Sequence, residues 1–179
     1  MDQFTSVRNT IATVIRMDSQ WRSSQAGRDD LATYLPWMPF SWPDFIALMA
    51  EAMPEVTGDR FLDIGCGPGT KMLLADAVFG LRASGIERSP EMVKEASQLG
   101  LQAFEADALG WENYGRYDLV FFNRPFFDNG QQAELEKQVW AGMKSGAVVI
   151  GVNLIAPPPV TWYPVLDDRE VRRWISQKP

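Results

Sequence analysis

Ten residues limit what this chain can become more than any others. Phe61-Leu62-Asp63-Ile64-Gly65-Cys66-Gly67-Pro68-Gly69-Thr70 run from apolar positions through an acid into three alternating glycines. Glycine belongs where a backbone must turn sharply and where a ligand comes too close for a Cβ. The residues before the turn predict a strand over 60–64, and those after it a helix over 70–79. A strand-to-helix turn leaves the first helical N–H groups unpaired and aims them at whatever lies above. The segment therefore predicts an α/β layer structure with a ligand held at this turn.

The chain beyond it keeps the rhythm. Apolar runs over 81–87, 101–105, 117–122 and 147–154 predict further strands. Helices are expected over 89–99, with Ser89 as N-cap and Pro90 at the first position, and over 131–144. The buried stripe of the second would be Leu135, Val139, Trp140 and Met143. Repeated strand–helix units with short connections make a mainly parallel sheet with helices on both faces.

The two ends depart from that pattern. Phe4, Val7, Ile11 and Val14/Ile15 recur at helical spacing. Ser41-Trp42-Pro43-Asp44 has the form of a capping box ahead of an apolar face of Phe45, Leu48, Met49 and Met53, which Pro54 ends. Tyr34, Trp37, Phe40 and Trp42 are expected to pack these helices, a lid over the ligand being the alternative. At the other end, Pro157-Pro158-Pro159 excludes a helix directly after the fifth strand. Residues 161–166 and 170–176 predict an antiparallel hairpin, and the proline run with Trp162 and Tyr163 would line a substrate mouth. The expected organisation is one domain over 1–179: a helical extension 1–58, a core 59–155 and a hairpin 156–179.

Composition narrows the chemistry. With 179 residues, 46% of them hydrophobic, the chain can bury a real core. A net charge of −6 and a pI near 4.7 argue against an extended nucleic-acid surface, which draws on clustered Lys and Arg. There is one cysteine, Cys66, and no histidine. An internal disulfide, a Cys/His metal site and the commonest general base are thereby excluded, and no metal is expected. Cys66 itself is expected to fill the turn as a small buried residue. No basic leader precedes an apolar run, and no run is long enough to span a bilayer, so a soluble, cytoplasmic protein is expected.

The acid inside the turn decides what the glycines hold. A dinucleotide would place an anionic pyrophosphate there, which Asp63 fits poorly; a ligand carrying an ammonium and a sulfonium suits it. The G-x-G-x-G spacing also departs from the dinucleotide pattern G-x-G-x-x-G. Leu-Asp-Ile-Gly-Cys-Gly-Pro-Gly resembles the first motif, (D/E)-x-G-x-G-x-G, of the class I S-adenosylmethionine-dependent methyltransferases. The resemblance covers roughly residues 40–176. It implies a Rossmann-like methyltransferase fold, S-adenosylmethionine as cofactor with S-adenosylhomocysteine as product, and a cofactor loop of Asp63, Ile64, Gly65, Cys66, Gly67 and Gly69. It further implies that Glu87, 24 residues beyond Asp63, holds both ribose hydroxyls. Arg88 and Met92 would lie near the adenine, and Asp107, beside Ala108, would accept from its amino group.

The fourth strand runs into Asn123-Arg124-Pro125-Phe126-Phe127-Asp128. Ligands in open α/β sheets gather beyond the carboxyl ends of strands, so this loop should face the transferred methyl, with Asn123 also near the cofactor. Asn123, Pro125 and Phe126 match the (D/N/S)-P-P-(Y/F) motif of the family's amino-methyltransferases, whereas Arg124 replaces its first proline. A guanidinium there would instead clamp a carboxylate or phosphate. Methyl transfer from a sulfonium is an in-line displacement for which the protein supplies alignment and a water-poor pocket. The absence of histidine favours a nitrogen over an oxygen of a small molecule or protein side chain. The alternatives are a cofactor-binding module that regulates a partner without catalysis and a nicotinamide-dependent oxidoreductase. The glycine spacing disfavours the last.

Overall fold

The computed structural model describes residues 3–25, 40–155, 163–164 and 173–179. Five parallel strands form its centre: β1 (Arg60–Ile64), β2 (Arg82–Glu87), β3 (Gln102–Glu105), β4 (Leu119–Asn123) and β5 (Val148–Val152). β6 (Tyr163–Pro164) and β7 (Arg173–Gln177) complete a sheet of order β3-β2-β1-β4-β5-β7-β6, with β7 antiparallel to both neighbours. The expected hairpin is therefore present, and it extends the sheet at the β5 edge. Its turn, the proline run Pro157–Pro159 and Trp162 lie outside the described residues, as do Tyr34 and Trp37.

Side-chain alternation explains the two cores. Phe61, Leu119, Phe121, Val148, Ile150 and Val152 point to one face, where α2 (Trp42–Ala52) and α3 (Thr70–Phe79) cover them with Phe45, Leu48, Met49 and Leu74. Leu62, Ile64, Ile86, Val120, Phe122 and Val149 point to the other, against Leu135, Val139 and Met143 of α5 (Asn129–Gly142). With both faces covered, β4 and β5 are buried nearly end to end, hence their unbroken apolar sequences. The Phe45 ring meets Phe121 edge-on, with centroids 5.1 Å apart, and Phe40 lies 5.8 Å from the same ring. Phe40 and the partly buried Trp42 thus pack the core, as expected of them.

Several boundaries move for local reasons. Ser41 precedes α2 but its side chain makes no capping bond, so the capping box is not formed. α2 stops at Ala52, and Pro54 sits inside a following 3-10 turn, Met53–Glu55. α4 (Pro90–Gln98) begins as expected, the Ser89 hydroxyl accepting from the Met92 N–H. β4 starts at Leu119, two residues later than predicted, because Tyr114–Arg116 forms a 3-10 turn. α5 begins at Asn129, earlier than predicted, because the Asp128 carboxylate accepts from the Gln131 N–H at 2.9 Å and nucleates the first turn there. In α1 (Gln3–Gln25), which lies against α3, Val14 is 1% exposed and Ile15 48%. The buried face therefore runs through Ile11, Val14 and Met17, leaving Ile15 in solvent.

That asymmetry is testable by chemical denaturation. Val14→Ala should cost about 2 kcal/mol through lost burial and a residual cavity. Ile15→Ala should stay within about 0.5 kcal/mol. Equal losses would mean that α1 does not pack on the face described.

Candidate active site

The strand order reverses between β1 and β4, and their connections leave in opposite directions, opening a crevice above the carboxyl ends. Asp63, the glycine turn, Glu87, Asp107, Asn123 and Asn153 all lie at or just past those ends.

The turn is built on left-handed backbone. Gly65, Gly67 and Gly69 have φ of 73°, 55° and 90°, values that side chains with a Cβ rarely adopt. A Cβ on Gly69 would stand 2.4 Å from Leu101 Cδ1, which adds crowding to the strain of its left-handed backbone. Gly65 and Cys66 both donate to the Ile86 carbonyl, at 2.9 and 3.1 Å, which ties the turn to β2. Cys66 is fully buried and its thiol is packed against Gly85, where a Cβ would meet Sγ at 2.5 Å. Burial first, then the nearby Asp63 and Glu87 carboxylates, push its pKa well up, so it is a space-filling residue.

Asp63 is the unusual group. It is 1% exposed, and its Oδ2 has no hydrogen-bond partner. Burial raises its pKa to about 7, the Lys71 charge opposing the rise and Glu87 adding to it. Lys71, 5% exposed in the first turn of α3, is a residue the sequence reading passed over. The signal available was a cation placed two residues after the last glycine.

Glu87 is only partly exposed and already engaged. Its Oε1 accepts from Arg88 N and Ser89 N at 2.8 and 2.9 Å, and its Oε2 from Gly67 N at 3.0 Å. A carboxylate offers about four acceptor positions, which leaves about one, on Oε2, for a ligand hydroxyl. The expectation that Glu87 holds two ribose hydroxyls is narrowed accordingly. Asp107 is exposed and uses Oδ1 to cap a 3-10 turn, Ala108–Gly110, through Leu109 N at 3.0 Å. The Ala108 carbonyl accepts from the Tyr114 hydroxyl at 2.8 Å, and burial raises that phenol's pKa, so Tyr114 braces the turn and is no base. Met92 is buried at the start of α4, while Arg88 is exposed.

On the other side of the crevice, Asn123 Oδ1 accepts from Asn153 Nδ2 at 3.1 Å. Pro125 folds over the turn, and a Cβ on Gly65 would come within 3.2 Å of its Cβ. Arg124 has φ 37°, a conformation proline cannot adopt, since its ring holds φ near −65°. This loop therefore cannot be built as the (D/N/S)-P-P-(Y/F) loop that it partly resembles. The guanidinium turns back on α5, donating to Asn129 Oδ1 at 2.8 Å and the Phe127 carbonyl at 3.4 Å. Phe126 packs inward against the α5 core, whereas Phe127 is 81% exposed. Asn153, Gln132 and Glu136 were not picked out from sequence. Among the described residues, no cluster of metal-binding side chains occurs and no helix is long and apolar enough to cross a membrane.

Residues 61–146 match the sequence profile of a family described as a methyltransferase domain. Trans-aconitate 2-methyltransferase of Rhizobium rhizogenes is 30% identical over 105 residues, which are 57% of this chain and 41% of that protein. The chain thus spans less than half the length of this curated relative. An RNA methyltransferase from Salinibacter ruber, solved with S-adenosyl-L-homocysteine, superposes with a TM-score of 0.65 over 79% of this chain and 94% of its own, at 18% identity. Phosphoethanolamine N-methyltransferase 2 of Haemonchus contortus, solved with phosphomonomethylethanolamine and S-adenosylhomocysteine, gives a TM-score of 0.55 at 26% identity, over 64% of this chain and 28% of its own. The fold is the Rossmann-like one of these neighbours.

The burial of Cys66 has a simple check. In the native protein it should resist a thiol reagent such as dithionitrobenzoate, and it should react fully in denaturant. Rapid native labelling would mean that the turn is open where it is described as packed.

Proposed function

We propose that the chain is a class I S-adenosylmethionine-dependent methyltransferase, a reading supported by the methyltransferase-domain profile over residues 61–146, and that it transfers a methyl group from that cofactor to a nitrogen or oxygen of a small molecule or protein side chain. The observation that carries the reading is the Asp63 Oδ2, buried and without a donor at the foot of a glycine turn. A buried acceptor left unpaired costs about 1–3 kcal/mol, and a ligand ammonium supplies the missing donor together with a compensating charge.

The rest of the site fits the same ligand. Gly65, Cys66 and Gly67, with Ile64 beneath them, let a main chain run against it without side-chain bulk. Glu87 Oε2 retains room for a ribose hydroxyl, and Asp107 Oδ2 for an exocyclic amine, with Met92 and Ala108 as apolar walls. When bound, the cofactor supplies an electrophilic methyl on a sulfonium, and the chain has to exclude water and align an acceptor. Pro125, lying over Gly65, narrows the approach. Asn123 offers an amide to the acceptor from the end of β4. An amine entering neutral and a carboxylate entering ionised both need no base, which suits a chain without histidine. The names of two relatives point to such acceptors, trans-aconitate for one and phosphoethanolamine for the other.

Incubation with labelled S-adenosylmethionine and separate pools of amines, carboxylates and proteins should label a product. Binding of S-adenosylhomocysteine without any labelled product would replace the transferase by a cofactor-binding regulatory module. Asn123→Ala should keep cofactor affinity and lower turnover about tenfold or more; unchanged turnover would remove Asn123 from the acceptor side.

Asp63 makes binding pH-dependent. Its pKa of about 7 in the free protein means that below pH 7 the carboxyl holds a proton and cannot pair with an ammonium. Affinity is therefore present above that pH and lost as pH falls through it. Calorimetry with S-adenosylhomocysteine should give about tenfold weaker binding at pH 6 than at pH 8. Asp63→Asn should bind weakly at both, and a wild type whose affinity ignores pH would sink the assignment of Asp63.

A further inference from the structure

α5 carries two buried polar side chains in what should be an apolar stripe. Gln132 is fully buried and Glu136 is 3% exposed. Burying an amide and a carboxyl costs free energy unless both are well paired, and here the pairing is specific. Gln132 Oε1 accepts from Phe126 N at 3.3 Å, and its Nε2 donates to Glu136 Oε1 at 2.9 Å. The same Oε1 accepts from Ile155 N at 2.9 Å. Phe126 belongs to the loop after β4 and Ile155 to the segment after β5. These two segments also meet directly, through the bond between Asn123 and Asn153.

The four hydrogen bonds close a circuit. It runs from Asn123 along the chain to Phe126, through Gln132 and Glu136 to Ile155, back along the chain to Asn153, and across to Asn123. Arg124 and Asn153, with φ of 37° and 58°, are the non-glycine residues with positive φ among those described, and both lie in it. Such conformations persist where the surroundings over-determine them, and they cluster where geometry is functional. A helix packing role alone would be met by leucine at 132 and 136.

We propose that Gln132 and Glu136 are positioning residues for the acceptor side of the site: they lock the loops after β4 and β5 into one unit and so set where Asn123 presents its amide. This rests on the methyltransferase reading for its consequence in turnover, and on the hydrogen bonds alone for the coupling. Glu136 acts on Asn123 through two loops, without touching the reacting groups.

Amide exchange and side-chain amide signals of the full ¹⁵N-labelled chain test the coupling, with and without S-adenosylhomocysteine. Gln132→Leu removes the bonds to Phe126 and to Glu136 and leaves Ile155 N its own acceptor, yet exchange should accelerate about tenfold or more at both Phe126 and Ile155, and the Asn153 side-chain NH₂ signals should shift. Glu136→Leu should do the same, while Glu136→Gln, whose oxygen can still accept from both donors, should stay within about threefold of wild type. Val120, in the middle of β4, should be unaffected in all three. Should Glu136→Leu fail to fold, Gln132→Leu and Glu136→Gln carry the test. An effect of Gln132→Leu confined to Phe126, or Asn153 signals unmoved by it, would overturn the proposal.

The functional arm uses the labelled-methyl assay on the acceptor pools. Gln132→Leu should lower kcat about tenfold while KM for S-adenosylmethionine and the Kd for S-adenosylhomocysteine change less than about twofold. An unchanged kcat overturns the positioning role. If the wild type labels nothing, the transferase reading fails, and the exchange experiment still decides whether the circuit exists.

Discussion

A carboxyl group sealed into the sheet with one oxygen lacking a donor is the constraint around which this protein is arranged. Asp63 sits in β1, flanked by β2 and β4, with α3 covering its face. Only 1% of it is exposed, so its proton affinity is set by burial, by Lys71 and by Glu87. The turn that follows needs three left-handed residues to bring main chain, in place of side chains, alongside that carboxyl. Glu87 then secures the turn through Gly67, so the second acid both shapes the crevice and faces into it. The two acids and the glycines work as one unit in which removing a member disturbs the others.

The opposite wall is made differently. The glycine turn is held by its own backbone conformation and by bonds to β2 and Glu87, whereas the side we propose for the methyl acceptor is held by side chains from three segments remote in sequence. Asn123, Asn153, Gln132 and Glu136 meet only because β4, β5 and α5 are adjacent in the fold. A wall of this kind can vary through its loop residues while the glycine turn stays as it is.

How far the sequence could be read follows from that contrast. The strand at 60–64 and the helix at 70–79 were predictable to the residue, because apolar alternation, a glycine turn and helical spacing are all local. The α/β class and the parallel sheet followed from repetition of the same units. Boundaries failed where a side chain acts on the backbone: Asp128 starts α5 earlier than periodicity suggests, and Ser41 makes no cap despite its favourable neighbours. Ile15 and Val14 were equally good candidates for one helical face, and only packing against α3 and the sheet separated them.

Within the site, the sequence by itself determined the glycine turn, the acid before it and the acid ending β2, because those demands are made by neighbouring backbone on neighbouring residues. It did not determine the protonation behaviour of Asp63, which depends on burial and on a lysine brought close by α3. Nor did it reveal that Arg124 adopts a conformation closed to proline and turns away to Asn129. Gln132 and Glu136, polar residues at positions whose helical spacing falls on the buried face, acquired meaning only once the tertiary fold surrounded them and gave them each other and two loop amides among their partners. Local backbone chemistry is written in consecutive residues; desolvation and long-range pairing exist only after the chain has packed.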